Sequence, residues 1–138
     1  MGEILKRFGI SIGEKLLKRF DRLIKEQGYS NRSEAIRDLI RESLVKREWI
    51  KGGEVVGAIT MMYDHHKREL VDRLLDVQHS HHNLVISTQH IHLDRDNCLE
   101  IIAVRGKSKD IEKLYHSLRS QKGVKHTSFT LTTTGRNL

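Results

Sequence analysis

Two histidines one residue apart, a charged turn and the chain's only cysteine follow one another in "HIHLDRDNC", residues 90–98. Imidazole nitrogen and thiolate sulfur are both ligands for late first-row metals. On a strand His90 and His92 share a face, because side chains alternate. Their Cα atoms then lie about 7 Å apart, a span that two imidazoles can bridge to one ion. "LDRDN" turns the chain back. A hairpin that pairs His92 with Cys98 also pairs His90 with Glu100, so all four side chains share a face and converge without help from the rest of the fold. Glu100 would suit an outer partner that orients a ligand. The contrasting reading is a solvated histidine pair beside a small buried cysteine.

A fourth ligand is within reach of this pattern. "QHSHH" supplies His79, His81 and His82 at the end of an expected helix, although histidine near a helix C-terminus is also favoured by the helix dipole. Three nitrogens and one sulfur fit tetrahedral zinc, and they fit square-planar nickel(II) or copper(II) equally, so the residues alone leave the metal open. An enzyme using zinc-bound water with Glu100 as base needs an open coordination position, which a four-ligand site denies it. The chain is therefore expected not to be an enzyme. His65, His66, His81 and His82 are expected to be solvated, with weak metal binding at most, and His116 and His126 to lie on the surface.

The elements that must position these residues can be read from periodicity. "VVGAITMMY" (55–63), "LVISTQHIHL" (84–93), "CLEIIAVRG" (98–106) and "VKHTSFTLTT" (124–133) read as strands. "KRELVDRLLDVQH" (67–79) and "SKDIEKLYHSLRSQKG" (108–123) read as helices, the second capped by Ser108 and stopped at Gly123. The order β-α-β-β-α-β is the ferredoxin-like plan, an antiparallel four-stranded sheet with both helices on one face. The middle strands carry apolar residues on both faces: Ile86, Ile102 and Val104 on one, Val85, Ile91, Leu99 and Ile101 on the other. A sheet-to-sheet contact between copies is expected from that.

The first fifty residues follow a different plan. Phe8, Ile10 and Ile12 alternate with Arg7, Gly9 and Ser11, the period of a half-buried strand. From Gly13 the apolar positions Leu16, Leu17, Phe20, Leu23 and Ile24 take helical spacing, and Gly28 suits a helix end. In "NRSE" Asn31 can cap a second helix with Glu34 at its third position, and Ala35, Ile36, Leu39, Ile40 and Leu44 continue the buried face. One strand and two helices bury too little surface alone. A second copy remedies this: two strands pair antiparallel over four helices, and Arg7, Gly9 and Ser11 face outward as a ribbon that fits the DNA major groove. Asn31 and Arg32 sit where a helix N-terminus can meet a phosphate. The bland alternative makes residues 5–12 an edge strand of a larger sheet in the same chain. Gly52-Gly53 is the natural boundary, with Trp49 and Ile50 at the domain junction, giving domains 1–50 and 51–138.

Totals set the frame. The chain has 138 residues, 31% charged, no proline, a formal net charge of +7 and nine histidines. Basicity makes nucleic acid the first anionic partner to consider. A single cysteine precludes an internal disulfide and suits a reducing compartment. No apolar run approaches the roughly 20 residues that span a bilayer, the first ten residues lack a signal-peptide core, and position 6 is not the Ser or Thr of a myristoylation signal. A cytoplasmic location without membrane attachment is the expectation.

The first fifty residues, with "GYSNRSEAIRDLIR" (28–41) most specific, resemble the ribbon-helix-helix DNA-binding proteins. With the spacing His79-x10-His90-x-His92-x5-Cys98 behind that unit, residues 5 to about 134 resemble the nickel-responsive transcriptional regulators (NikR). The resemblance implies an α+β chain, a dimeric βαα ribbon-helix-helix domain before a ferredoxin-like domain of the ACT type, assembled as a homotetramer. It implies one square-planar nickel ion per subunit, held by His90, His92 and Cys98 of one chain and His79 of another, with Tyr63, Gln78 and Glu100 around it. It implies a potassium ion between the domains with Glu34 and Asp38 as ligands. Lys67 and Arg68, about 18 Å from His79 along one helix, are implied to touch the DNA backbone when nickel is bound. The implied function is repression of nickel-uptake genes at a two-part palindromic operator. A metal-independent antitoxin-like repressor and a zinc- or copper-responsive regulator are the alternatives. Gly9 departs from the family, where a hydroxyl-bearing residue is usual, and cannot read a base edge through a side chain.

Overall fold

The computed structural model describes residues 2–138. The chain divides into two compact units, with the boundary between Ile40 and Arg41. In the first unit, α1 spans Glu14–Glu26 and α2 begins at Arg32, continuing to Lys51 in the second unit. α1 ends because Gly28 turns the backbone into the left-handed region at φ +84°, letting Tyr29 N–H reach the Ile24 carbonyl at 3.0 Å. Nothing lies within 4 Å of a Cβ built on Gly28, so only the backbone resists a side chain there. Gly28→Ala is accordingly expected to destabilise the folded protein by about 1 kcal/mol, read from the shift of a denaturant midpoint at unchanged slope.

Asn31 caps α2 as expected, its Oδ1 accepting the Glu34 N–H at 2.9 Å. The reciprocal half of the capping box is replaced: the Glu34 carboxylate accepts the Ser30 hydroxyl at 2.8 Å. Residues 2–13 form neither helix nor ladder among the described residues, and the sheet draws all its strands from positions 54–131. Residues 5–12 are therefore no edge strand of this chain's own sheet. Phe8 and Ile10 remain 73% and 62% exposed, and Leu16, Leu23, Leu39 and Ile40 are also exposed, while Ile24 and Ala35 are buried. The apolar face expected from the helical spacing is thus present but uncovered in one chain. It is the surface that a paired copy would bury.

The second unit has β1 (Glu54–Tyr63), α3 (Arg68–Ser80), β2 (Val85–His92), β3 (Cys98–Lys107), α4 (Ser108–Arg119) and β4 (Val124–Leu131). The strands form one antiparallel sheet in the order β2-β3-β1-β4, the expected β-α-β-β-α-β plan. Burial alternates along β1 and β3. Ile59, Met61 and Tyr63 pack with Ile102 and Val104 against Leu70, Leu74, Ile111, Leu114 and Leu118 of the two helices. The other face, with Leu99 and Ile101, is half-covered.

Three local expectations are corrected. Ser108 does not cap α4: it is the helix's first residue, and its buried hydroxyl donates to the Trp49 carbonyl at 2.8 Å. Trp49 belongs to the core of the second unit, its indole N–H donating to the Thr132 carbonyl at 2.7 Å and its ring meeting Phe129 edge-on, whereas Ile50 is 82% exposed. On β2 a bulge between Val85 and Ser87 adds one residue, so Val85 stands opposite Val104 on the helix-covered face and Ile86 points to solvent, reversing the parity assignment of both. No helix among the described residues is long and apolar enough to cross a membrane.

Candidate metal centre

β2 is an edge strand, and the turn after it returns the chain into β3 with His90 opposite Glu100 and His92 opposite Cys98. That is the register inferred from period two and the turn. It places the two imidazoles, the thiol and the carboxyl on the face toward α3. Edge position leaves His90 and His92 exposed, while Cys98 and Glu100, one strand inward, are buried.

Glu100 is the hub. Its Oε1 lies 2.9 Å from His90 Nε2 and accepts the Tyr63 hydroxyl at 3.3 Å; its Oε2 accepts the Gln78 amide at 3.0 Å. Gln78, in the last turn of α3, in turn accepts the Thr88 hydroxyl at 3.2 Å. Burial pushes the Glu100 carboxyl above its ordinary range, with the His90 charge and the bonds from Tyr63 and Gln78 opposing it. The same burial, reinforced by the Glu100 and Cys98 charges, raises the Tyr63 phenol well above its usual value. An anionic carboxyl held in such a place needs cationic or donor partners, and the site supplies three of them.

Side chains do not converge as the sequence suggested. Among the described residues of one chain, no group of three or more His, Cys, Asp or Glu could hold a metal ion. Each donor is engaged elsewhere. His90 has Nε2 at Glu100 and Nδ1 3.4 Å from the Tyr63 hydroxyl. His92 stacks on His65 with centroids 4.4 Å apart and planes 4° from parallel. The Cys98 thiol lies 3.8 Å from the Leu99 carbonyl. Ligation through His90 would displace one of its two contacts, and the long Tyr63 contact is the weaker. The donor set nevertheless fits a borderline-soft divalent ion: two imidazoles and a sulfur in register, with an oriented carboxylate behind one of them.

His79 is exposed at the end of α3 and, with Gln78, His82, Thr88 and His90, lines a surface groove of about 310 Å³. His81 and His82 are turned back on the helix end, their Nδ1 atoms on the Val77 and His79 carbonyls. Lys67 and Arg68 are exposed at the start of α3. In the first unit Arg7, Gly9 and Ser11 are exposed, and Asn31 is occupied by capping. Arg32, expected at a phosphate, forms a two-pronged pair with Asp21 at 2.8 and 2.9 Å, which holds the Asp21 carboxyl below the usual range. The Glu34 carboxylate holds the Ser30 hydroxyl, and the Asp38 carboxylate accepts the Tyr29 hydroxyl at 2.8 Å. Sequence reasoning missed the Asp21 partner of Arg32 and the contact of His65 with His92. The adjacency of "DHHK" to a strand end was the only available signal for the second.

Comparison with known proteins places this geometry among relatives. Residues 56–132 match the family model described as the NikR C terminal nickel binding domain, and residues 6–47 match ribbon-helix-helix proteins of the copG family. A protein of Chlorobaculum tepidum, provisionally named a nickel-responsive regulator, is 59% identical over 127 residues, covering 92% of this chain and 95% of its own. Proteins with the same provisional name from Syntrophus aciditrophicus and Geobacter sulfurreducens are each 55% identical, over 94% and 100% of this chain and 95% and 99% of their own. Among solved structures, an uncharacterized protein from Thermotoga maritima aligns with a TM-score of 0.52 at 9% identity, over 56% of this chain and 96% of that one, a likeness of fold alone.

Proposed function

This chain belongs to the nickel-responsive regulators that join a ribbon-helix-helix domain to a NikR C-terminal nickel-binding domain, and from that premise we propose that it represses nickel-uptake genes by binding a palindromic operator as a nickel-loaded homotetramer. The family is one of transcriptional regulators, not enzymes. In the proposed assembly residues 1–50 pair two by two as DNA-binding units and residues 51–138 form the metal-binding and tetramerising core. His90, His92 and Cys98 of one chain and His79 of another would hold one nickel ion per chain. When bound, the ion would supply a fixed cross-link between two chains.

The remaining work falls to residues of the chain. Glu100 orients the His90 ring, and Tyr63 and Gln78 hold Glu100 in place. Gln78 ties this hub to the C-terminal turn of α3, whose other end presents Lys67 and Arg68. A helix is stiff over its length, so a fixed C-terminal end restricts where the two cations at the other end can go. Those cations would bind DNA phosphates, while Arg7 and Ser11 read base edges and Asn31 and Arg32 flank a phosphate. Arg32 would do so while paired to Asp21 or on release from it. Gly9 leaves one ribbon position without a reading side chain. Glu34 and Asp38 would hold potassium, and the protein would act in the cytoplasm on operator DNA. The linkage is reciprocal: DNA tightens nickel binding by the factor by which nickel tightens DNA binding.

The observation that supports this reading most is the hairpin register, His90 with Glu100 and His92 with Cys98. The test is operator binding by metal-free protein at fixed salt, with nickel, zinc and copper added in turn. A gain of at least tenfold with nickel, and less with zinc or copper, is the expected result. An equal response to zinc or copper would replace the metal assignment, and binding indifferent to all three would leave an antitoxin-like repressor.

A further inference from the structure

Two tight turns that the nickel reading does not use meet beside the candidate ligands. One is the segment Asp64–Lys67 between β1 and α3. Asp64 closes it twice, with Oδ1 accepting the His66 N–H at 2.9 Å and its carbonyl accepting the Lys67 N–H at 3.3 Å. The other is the β2–β3 turn, where Asp94 Oδ1 accepts the N–H groups of Asp96 and Asn97, both at 2.9 Å, and Leu93 N–H reaches the Asn97 carbonyl at 3.0 Å. The imidazole of His66 joins them, with Nε2 2.7 Å from the Arg95 carbonyl. A carbonyl only accepts, so the proton of that bond is on Nε2. A second contact runs alongside: His65 stacks on His92 and packs on His66, centroids 4.2 Å apart.

We propose that His66 is a positioning residue that locks the Asp64–Lys67 segment to the metal-bearing hairpin, giving the hairpin a second route to Lys67 and Arg68 besides Glu100, Gln78 and the length of α3. The proposal rests on the reading of the preceding subsection for what Lys67 and Arg68 touch. Both turns are closed by their own hydrogen bonds, so neither can stretch to absorb a movement of the other. A shift at His92 or in the turn beyond it reaches Lys67 one residue from the bridge. The α3 route acts on the end of a helix; this one acts on the loop that starts it. His66 itself is outside the proposed ligand set, so its loss leaves every donor in place.

The experiment compares wild type, His66→Ala and His66→Gln as full-length tetramers. Three quantities are read: amide hydrogen exchange over residues 64–68 in metal-free protein, nickel affinity, and operator affinity with and without nickel. His66→Ala should speed exchange in that segment and leave nickel affinity within about twofold. It should also cut the nickel-induced gain in operator affinity by about three- to tenfold, the range one exposed hydrogen bond can bias. Glutamine keeps an N–H donor and should restore the protection and most of the gain. Exchange over 64–68 that is unchanged in His66→Ala, or a gain undiminished by it, overturns the proposal, as does a Gln variant that behaves like Ala. A wild-type protein that gains nothing from nickel overturns the parent reading, and a changed exchange pattern in the same samples still reports the bridge, which separates the two failures.

Discussion

Replacing Cys98 by alanine is expected to abolish the nickel response and leave weak, salt-sensitive DNA binding. Cys98 is 1% exposed, and its backbone pairs with His92 and with Tyr63 across two strand ladders. The backbone register survives the change, because only the sulfur is removed. Loss of that atom from a buried position costs about 1 kcal/mol of stability. The proposed metal site loses its one thiolate, and nickel affinity should fall by more than the 10- to 100-fold typical of losing an outer hydrogen-bond partner. Operator binding should then match that of metal-free wild type at every salt concentration, with the same slope on salt, since no phosphate contact is touched. Cys98→Ser serves as the volume control. A variant that still gains operator affinity with nickel would remove Cys98 from the site.

The second large effect is expected at Ile101. On the sheet face away from the helices, Ile101 lies on β3 opposite Thr60 of β1 and Gln89 of β2, with Leu99 two residues before it. Ile101, Leu99 and Thr60 are half-buried in one chain, and Gln89 is exposed. If two such faces meet in the tetramer, Ile101→Asp buries an unpaired carboxylate in each, a cost of several kcal/mol per copy. The proposed tetramer should then fall to a dimer by light scattering at micromolar concentration. Far-ultraviolet circular dichroism should be unchanged, because the side chain points away from Ile59, Ile102 and Leu114. In the proposed site His79 comes from another chain, so nickel affinity should fall with it. A tetramer of unchanged mass would place the interface elsewhere.

Much of this architecture is legible in the sequence. Period two in residues 84–106 and a five-residue polar turn set the pairing of His90 with Glu100 and His92 with Cys98. The start of α1 just after Gly13, the Gly28 stop and the Asn31 cap are equally readable, because each is a local rule of backbone geometry, whereas the period-two residues 5–12 form no ladder within one chain. The failures share a cause. The β2 bulge, Ser108 bonding to the Trp49 carbonyl and Arg32 pairing with Asp21 are all decided by a partner distant in sequence. The convergence of donors failed for a related reason. Register aligns Cα atoms, but His90 turns to Glu100 and His92 to His65, contacts that periodicity does not encode. The apolar residues of the first unit, Phe8 and Ile10 among them, are exposed in one chain, as the sequence expectation of a covering second copy requires.

The most direct test of a site shared between chains is complementation in mixed tetramers. His79→Ala and Cys98→Ala should each fail to bind nickel tightly alone. Co-refolded in equal amounts, a His79→Ala chain keeps His90, His92 and Cys98 while its Cys98→Ala neighbour supplies the missing imidazole. About a quarter of the sites should then be intact, as random pairing across a two-fold interface dictates, and nickel bound at equilibrium should rise to that fraction. A mixture that binds no more nickel than its separate components would contradict a site built from two chains, as would tight binding by either variant alone.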